Sequence, residues 1–242
     1  MTTQLQQNLS YLKLNFIQQN FDALFEQAMS QKLDKLPFLE LLIQSEVDDK
    51  EQLAIQRRIR QARIPVHKTI EDFHFSHPAK IEAEQVRHLF QMNFIEQKKN
   101  VIFCGTVGLG KTHLASALAL KACREGYKVR FASAVDIINQ LDATKRQDRL
   151  VTQLRQYTKV DLLVIDELGY MPVDKIGCDL LFQVISARYE TGSTIITTNR
   201  AYKDWPIIFN NDSVVTSAIL DRLLHHAQTI IIEGQSYRMK DN

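Results

Sequence analysis

The chain has 242 residues, a net charge of +2 and 45% hydrophobic residues, proportions typical of a soluble globular protein. Its length suits one large domain with a small appendage, and no apolar run approaches the roughly 18–20 residues of a membrane-spanning helix. The first residues lack the basic start and apolar core of a secretory signal, so we expect a cytoplasmic protein.

A helical region comes first. Between residues 5 and 28, apolar residues recur at the spacing of an amphipathic helix. Pro37 suits the first turn of a second helix, and Pro65 ends it. We therefore predict a small helical domain over residues 1–68, which contacts DNA, a partner or other subunits, followed by a core domain over residues 69–242.

Two basic stretches stand out against the small net charge. The first has no acidic residue between Gln56 and Lys68, and the second is diluted only by Asp148. Either stretch could contact DNA phosphates or could be a solvated helix face, and charge alone leaves both interpretations open. The DNA-contact candidates are Arg57, Arg58, Arg60 and Arg63 in the first stretch, and Lys145, Arg146 and Arg149 in the second.

Beyond a predicted linker at residues 64–77, short apolar runs alternate with helical patterns. Continuous apolar runs separated by helices are typical of a parallel sheet covered on both faces. We therefore predict a three-layer α/β core with about five parallel strands. The predicted strands lie at 101–104, 128–132, 162–165, 194–198 and 229–232, and the predicted helices at 80–92, 113–124, 134–141, 146–157, 178–190 and 214–226.

A phosphate-binding loop follows the first predicted strand. Residues 105–112 fit the pattern G-x-x-x-x-G-K-T between a strand and a helix. Backbone N–H groups of such a loop bind phosphate oxygens together with the helix N-terminus. We expect Lys111 to neutralise the β- and γ-phosphates of ATP and the Thr112 hydroxyl to bind Mg²⁺. The nucleotide-binding candidates are Gly105, Thr106, Val107, Gly108, Leu109, Gly110, Lys111, Thr112 and His113, joined by Asp166 from the next motif.

Polar residues also end two later strands. Asp166 and Glu167 follow the run at 162–165, and Asn199 follows the run at 194–198. Ligands of open parallel sheets bind at the carboxyl edge, so we expect Asp166 to hold Mg²⁺ together with Thr112. Glu167 is expected to orient or deprotonate the attacking water. Asn199 either contacts the γ-phosphate or that water, or begins a turn.

These three elements, in this order, resemble the core of an AAA+ ATPase. More narrowly, the stretches GTVGLGKTHLA, LLVIDELGYMPVD, LLFQVISARYE, STIITTNR, SAILDRLLHHA and EGQSYR resemble the IstB-like ATP-binding proteins of bacterial insertion sequences, which are related to DnaC-type helicase loaders. The resemblance implies homo-oligomers that bind duplex DNA with little sequence preference. It also implies that they recruit or stimulate a cognate transposase, with ATP hydrolysis resetting the assembly. A helicase loader in DNA replication is the alternative, and a nucleotide-gated scaffold with negligible turnover is a third hypothesis, against which Glu167 and Asn199 argue.

The resemblance further implies an arginine that reaches the nucleotide of a neighbouring subunit. Arg222 is the first candidate, with Arg188 and Arg200 as alternatives, although Arg222 could instead pair with a local carboxylate. About ten residues follow Ile232, so we expect no full C-terminal lid, and we expect residues 69–79 or a neighbouring subunit to cover the adenine. Tyr237 and Arg238 match the ending of the family without an assigned role.

Overall fold

The structure is a computed structural model that describes residues 2–145 and 149–237, with residue 145 described by its backbone alone. The chain divides into two compact units, Met1–Arg57 and Arg58–Asn242, and the division falls inside one long helix. The domain boundary near residue 68 stays a prediction. No helix within the described ranges is long and apolar enough to cross a membrane.

The first unit is helical. It contains α1 (Thr3–Tyr11), α2 (Asn15–Ser30) and most of α3 (Lys35–Ala62). The structure therefore has two helices before Pro37, where the sequence predicted one. Lys13 takes a φ of +55°, and the N–H of Leu14 donates to the carbonyl of Leu9 at 2.9 Å. This is the arrangement of a helix C-cap with a left-handed residue, and it separates α1 from α2.

A buried carboxylate joins α3 to the start of α2. Glu46 is only 3% exposed, and its Oε2 accepts a hydrogen bond from the N–H of Ile17 at 2.9 Å. That N–H is one of the donors that a helix leaves unpaired at its N-terminus. Tyr11 and Leu36 of this unit stay exposed, as expected for a unit too small to bury all of its apolar surface.

The second unit is a parallel sheet flanked by helices, so the predicted three-layer core with five parallel strands is confirmed. The strands are β1 (Asn100–Gly105), β2 (Val129–Ser133), β3 (Leu162–Leu168), β4 (Ser193–Thr198) and β5 (Ala227–Ile232), in the order β2-β3-β4-β1-β5. The helices are α4 (Ala83–Leu89), α5 (Asn93–Glu96), α6 (Lys111–Arg124), α7 (Ala134–Lys145), α8 (Leu150–Thr158), α9 (Lys175–Arg188), α10 (Trp205–Ile208) and α11 (Ser213–Leu224).

Alternate residues of the strands enter two separate cores. Val101 and Phe103 of β1 pack in one core with Leu118 of α6, whereas Ile102 packs in the other with Leu181 of α9. The strands are therefore covered on both faces, as their continuous apolar runs predicted. Because Cys104 pairs in register with Thr198, the loops that follow β1 and β4 begin side by side at the carboxyl edge.

The residues just before α4 pair with the segment that follows β5. Lys80 and Glu233 exchange two backbone hydrogen bonds, of 3.1 and 3.0 Å. The helix predicted over 80–92 is wrong at both ends, because Lys80 is in this bridge and α4 stops at Leu89. Met92 takes a φ of +61°, which separates α4 from the short α5.

Candidate functional site

A cleft of about 910 Å³ opens at the carboxyl edge of the sheet, within the second unit. The phosphate-binding loop, the ends of β3 and β4, residues of the linker and Tyr237 line it. The structure thus brings most of the predicted site residues together. Those that line the cleft are Val107, Gly108, Leu109, Gly110, Lys111, Thr112, His113, Glu167 and Asn199.

Glycines allow the phosphate-binding loop to close tightly. Gly108 and Gly110 both have a φ of +82°, a conformation that strains other residues. A Cβ on Gly110 would also lie 2.6 Å from the ring of Phe73. Helix α6 begins at Lys111, so the unpaired N–H groups of its first turn adjoin the loop. The Lys111 ammonium donates to the carbonyl of Thr106 at 2.7 Å, and this set of donors fits a polyphosphate.

Asp166 is hydrogen-bonded to two threonine hydroxyls. The hydroxyl of Thr112 donates to its carboxylate, whose oxygens lie 3.0 and 3.1 Å away, and the hydroxyl of Thr197 donates to Oδ1. The carboxylate is 7% exposed. A carboxylate and a hydroxyl at this separation are hard oxygen ligands that fit Mg²⁺, so Thr112 and Asp166 are the residues that would hold this ion.

A bulge in β3 lets two consecutive carboxylates reach the site. The register of β3 against β4 shifts between Ile165 and Leu168, and Glu167 takes a φ of +58°. Glu167 consequently lines the cleft, although its neighbour Asp166 bonds to Thr112. In a regular strand these two side chains would point to opposite faces of the sheet.

Thr197 positions both carboxylates, and sequence reasoning missed it. Its side chain on β4 is 1% exposed. Besides donating to Asp166, its hydroxyl accepts a hydrogen bond from the N–H of Glu167 at 2.9 Å. Threonine is common in strands, so its occurrence in STIITTNR does not indicate a functional role until the register of β4 against β3 is known.

The linker forms an aromatic wall of the cleft. Nε2 of His113 lies 2.8 Å from the carbonyl oxygen of Thr69, and its ring meets Phe73 edge-on, with 5.4 Å between the ring centres. The ring of Tyr237 meets His77 edge-on at 4.6 Å, and the Tyr237 N–H donates to the carbonyl of Gly108 at 3.0 Å. The linker and Tyr237 therefore lie next to the phosphate-binding loop.

Arg222 lies away from the cleft of its own chain. The described residues that line the cleft do not include it, and it shares a small depression with Asn100, the first residue of β1. That depression is at the amino edge of the sheet, opposite to the phosphate-binding loop. The guanidinium donates to the carbonyl of Ala218 at 2.9 Å and lies 5.0 Å from the centre of the Phe182 ring.

Burial argues against Arg188 as a residue that reaches a neighbouring subunit, because it is only 2% exposed. Burial lowers the pKa of its guanidinium to about 10, so the group stays charged at neutral pH. Arg200 is exposed directly after Asn199 and remains a candidate. The guanidinium of Arg188 donates to the carbonyls of Tyr157, Val160, Asp161 and Ser193 and to the hydroxyl of Thr194, at 2.6–3.3 Å.

The basic candidates for DNA contact differ in exposure. Arg58 is partly buried, and its Nε donates to the carbonyl of Cys123 near the C-terminus of α6, at 2.8 Å. This contact favours a helix-capping role, and the place of Arg58 among the DNA-contact candidates stays a prediction. The side chain of Lys145 and the whole of Arg146 and Arg238 lie outside the described residues. Those described as exposed are Arg57, Arg60, Arg63 and Arg149.

Comparison with known proteins agrees with this fold. The sequence pattern of the IstB-like ATP binding protein family matches residues 7–242. The chain is 40% identical over 233 residues to an insertion sequence IS21 ATP-binding protein of Pseudomonas aeruginosa, covering 96% of this chain and 88% of that protein. It is 38% identical over 239 residues to the IS232 counterpart of Bacillus thuringiensis subsp. berliner, covering 99% and 95%. A crystal structure of the DnaC helicase loader matches 73% of this chain and 99% of its own, with a TM-score of 0.51 and 21% identity, in agreement with the AAA+ fold.

Proposed function

Because the chain belongs to the family of IstB-like ATP-binding proteins, we propose that it is the Mg²⁺-dependent ATPase of an insertion sequence. In this proposal it assembles on DNA and recruits or stimulates the transposase, and ATP hydrolysis resets the assembly. The observation that carries the ATPase proposal is that Lys111, Thr112 and Glu167 line one cleft, while Asp166 accepts a hydrogen bond from Thr112. The relatives are named as ATP-binding proteins of insertion sequences, which supports both ATP as the nucleotide and an insertion sequence as the genetic context of this chain.

The roles of these residues in hydrolysis follow from their positions. The loop N–H groups and the Lys111 ammonium bind the β- and γ-phosphates, with Lys111 exchanging the Thr106 carbonyl for a phosphate oxygen. Mg²⁺, when held by Thr112 and Asp166, supplies charge neutralisation at the phosphates. Glu167, whose backbone is anchored to Thr197, orients the attacking water and accepts its proton.

The linker and Tyr237 are placed to hold the base. Phe73, His74, His77 and Tyr237 line the same cleft as the phosphate-binding loop, and aromatic rings offer a planar base both stacked and edge-on contacts. The hydrogen bond from Tyr237 to Gly108 fixes this wall next to the phosphates. In this proposal, residues of the same chain cover the adenine.

Arg222 is proposed to complete the site of a neighbouring subunit. In its own chain it lies at the opposite edge of the sheet from the phosphate-binding loop, so it cannot serve its own nucleotide. Its contacts with Ala218 and Phe182 hold the guanidinium in place. A guanidinium supplied by a neighbour can accelerate phosphoryl transfer by about 10³- to 10⁵-fold, which would make turnover depend on assembly.

Phosphate release, measured with and without duplex DNA, tests the proposal. The wild-type protein should hydrolyse ATP only with Mg²⁺, and faster when DNA is present. Glu167→Gln should bind ATP with unchanged affinity and turn over about 100-fold or more slowly, since the general base is lost. Glu84→Gln removes an exposed carboxylate of α4 and should leave the rate unchanged. Wild-type turnover by Glu167→Gln would show that its assignment is wrong.

The helicase-loader alternative has weaker support. The likeness to the DnaC helicase loader, at 21% identity, concerns the fold alone, whereas the insertion-sequence relatives reach 40% identity over nearly the whole chain. Two binding experiments separate the two functions: retention of the transposase encoded beside this protein, and retention of a replicative helicase. Binding of the helicase and not of the transposase would decide for the alternative.

A further inference from the structure

Three metal-ligating side chains converge at the amino edge of the sheet. Glu190 follows α9, and His225 and His226 follow α11, each shortly before a strand begins. Their candidate ligand atoms all lie within 4.8 Å of one another, and Nε2 of His226 is 4.0 Å from Oε1 of Glu190. The described lining of the nucleotide cleft includes none of the three, so this cluster is separate from the ATP site.

We propose that Glu190, His225 and His226 form a binding site for a transition-metal dication of the Zn²⁺ type. Two imidazoles and one carboxylate, with water in the fourth position, are an established ligand set for zinc. Ligand atoms around a tetrahedral zinc lie about 3.3 Å apart, so these exposed side chains, whose ligand atoms lie within 4.8 Å of one another, need to close by at most about 1.5 Å. Imidazole ligands favour zinc, copper and nickel over magnesium and calcium.

A second contact orients one of the histidines for this role. The hydroxyl of Tyr189 lies 2.7 Å from Nδ1 of His225, which leaves Nε2 of that ring for the metal. Ligating histidines generally use their other ring nitrogen in such a hydrogen bond, which fixes the orientation of the ring. Tyr189 is thus a positioning residue, not a ligand.

The surrounding charges select for the type of ion. Lys98 and Arg222 line the adjoining depression together with Glu190 and His226. A single carboxylate next to two cations holds a hard dication such as Mg²⁺ poorly, since that ion depends on several oxygen ligands. Zn²⁺ gains most of its affinity here from the two imidazoles.

Metal binding would join the two helices that hold Arg222. The site links the end of α9 to the end of α11, while Arg222 of α11 stacks on Phe182 of α9. A metal that binds only the folded chain stabilises it by an amount that grows with the logarithm of the metal concentration above Kd. The bound ion would therefore fix the position of the arginine that we propose to act on the neighbouring subunit.

Calorimetric titration of the nucleotide-free protein with Zn²⁺, in the presence of excess Mg²⁺, tests the site. We expect one Zn²⁺ per chain, and ligand-field absorption when Co²⁺ replaces it. His226→Ala and Glu190→Gln should abolish binding, and Tyr189→Phe should weaken it about 10- to 100-fold. His88→Ala removes an exposed histidine of α4 and should bind like the wild type.

Unchanged Zn²⁺ binding by both His226→Ala and Glu190→Gln would overturn the proposal. So would an equal loss in His88→Ala, because the ion would then bind to surface histidines without selection. Displacement of Zn²⁺ by Mg²⁺ would place the ion in the nucleotide cleft instead. Because all three ligands are exposed, the variants should have the melting temperature of the wild type when no metal is present. If His226→Ala did not fold, the Zn²⁺ affinities of Glu190→Gln and Tyr189→Phe would still test the site.

Discussion

Replacing Thr197 by valine should disable the active site without changing any residue that contacts the nucleotide phosphates. Valine has nearly the same shape as threonine, so the buried position on β4 stays filled. The change removes the hydroxyl that donates to Asp166 and accepts the N–H of Glu167. Asp166 then loses a hydrogen bond to its carboxylate, and Glu167 loses the hydrogen bond of its backbone N–H, although both side chains are still present.

The size of the effect follows from the two hydrogen bonds. A hydrogen bond to a charged group contributes about 1.5–3 kcal/mol, and an unsatisfied buried N–H costs about 1–3 kcal/mol. The free energy of unfolding should therefore fall by about 2.5–6 kcal/mol. If the loss at Asp166 is felt fully in the transition state, kcat falls about 10- to 150-fold.

Steady-state phosphate release against ATP and Mg²⁺ concentration measures this effect. We expect a lower kcat and a higher Mg²⁺ requirement for Thr197→Val, and recovery of most of the rate in Thr197→Ser, which keeps the hydroxyl. Thr194→Val is the matched control, because Thr194 is equally buried on β4 but bonds to Arg188, at the other end of the strand. It should lose stability and keep its kcat. A folded Thr197→Val protein with wild-type kcat and Mg²⁺ requirement would refute the positioning role.

Three further predictions concern the arginines. The Arg222→Ala protein should bind ATP but not hydrolyse it. Mixing it with the Lys111→Ala protein should restore some ATPase activity at interfaces between the two variants. If intact mixed oligomers show no such rescue, Arg222 does not act on a neighbouring subunit. Replacing the exposed Arg60 and Arg63 together by alanine should reduce the slope of log DNA affinity against log salt by up to about 1.8, or 0.9 for each phosphate contact. Arg149→Ala tests the second basic stretch in the same way. If the slopes do not change, these arginines lie on solvated helix faces and do not contact DNA. Arg188→Met should lower the free energy of urea unfolding by about 3–5 kcal/mol, because it leaves several buried carbonyls unpaired, whereas Arg124→Met at an exposed position should change it little.

The core of the fold and the phosphate-binding loop were predictable because their signals are local. A buried parallel strand needs an unbroken apolar run, and all five runs became strands of one sheet. The loop needs glycine wherever φ is positive or a backbone approaches closely, and Gly105, Gly108 and Gly110 meet those conditions. At these positions, the presence of glycine in the sequence is enough to predict the local backbone conformation.

Helix ends were less predictable, because residues other than glycine take the left-handed conformation here. Lys13 and Lys32 end α1 and α2 with φ values of +55° and +53°, and Met92 follows α4 in the same way. In each place the chain turns although a rule that searches for glycine or proline finds neither. The cost of a left-handed residue, about 1–2 kcal/mol, is offset by backbone hydrogen bonds such as Leu33 to Ala28 at 3.0 Å.

The three candidate arginines show why the catalytic assembly could not be resolved from sequence. Arg188 and Arg222 both lie near the end of a helix that precedes a strand, so neither hydrophobic periodicity nor a sequence motif distinguishes them. The structure separates them by what surrounds each guanidinium: Arg188 has five acceptors within the chain, whereas Arg222 donates to one carbonyl and stacks on one ring. A guanidinium whose donors are already used cannot bind a phosphate, whereas one with donors to spare can. Hydrogen-bond capacity, which only the three-dimensional structure reveals, therefore makes Arg222 the stronger of these two candidates for acting on a neighbouring nucleotide.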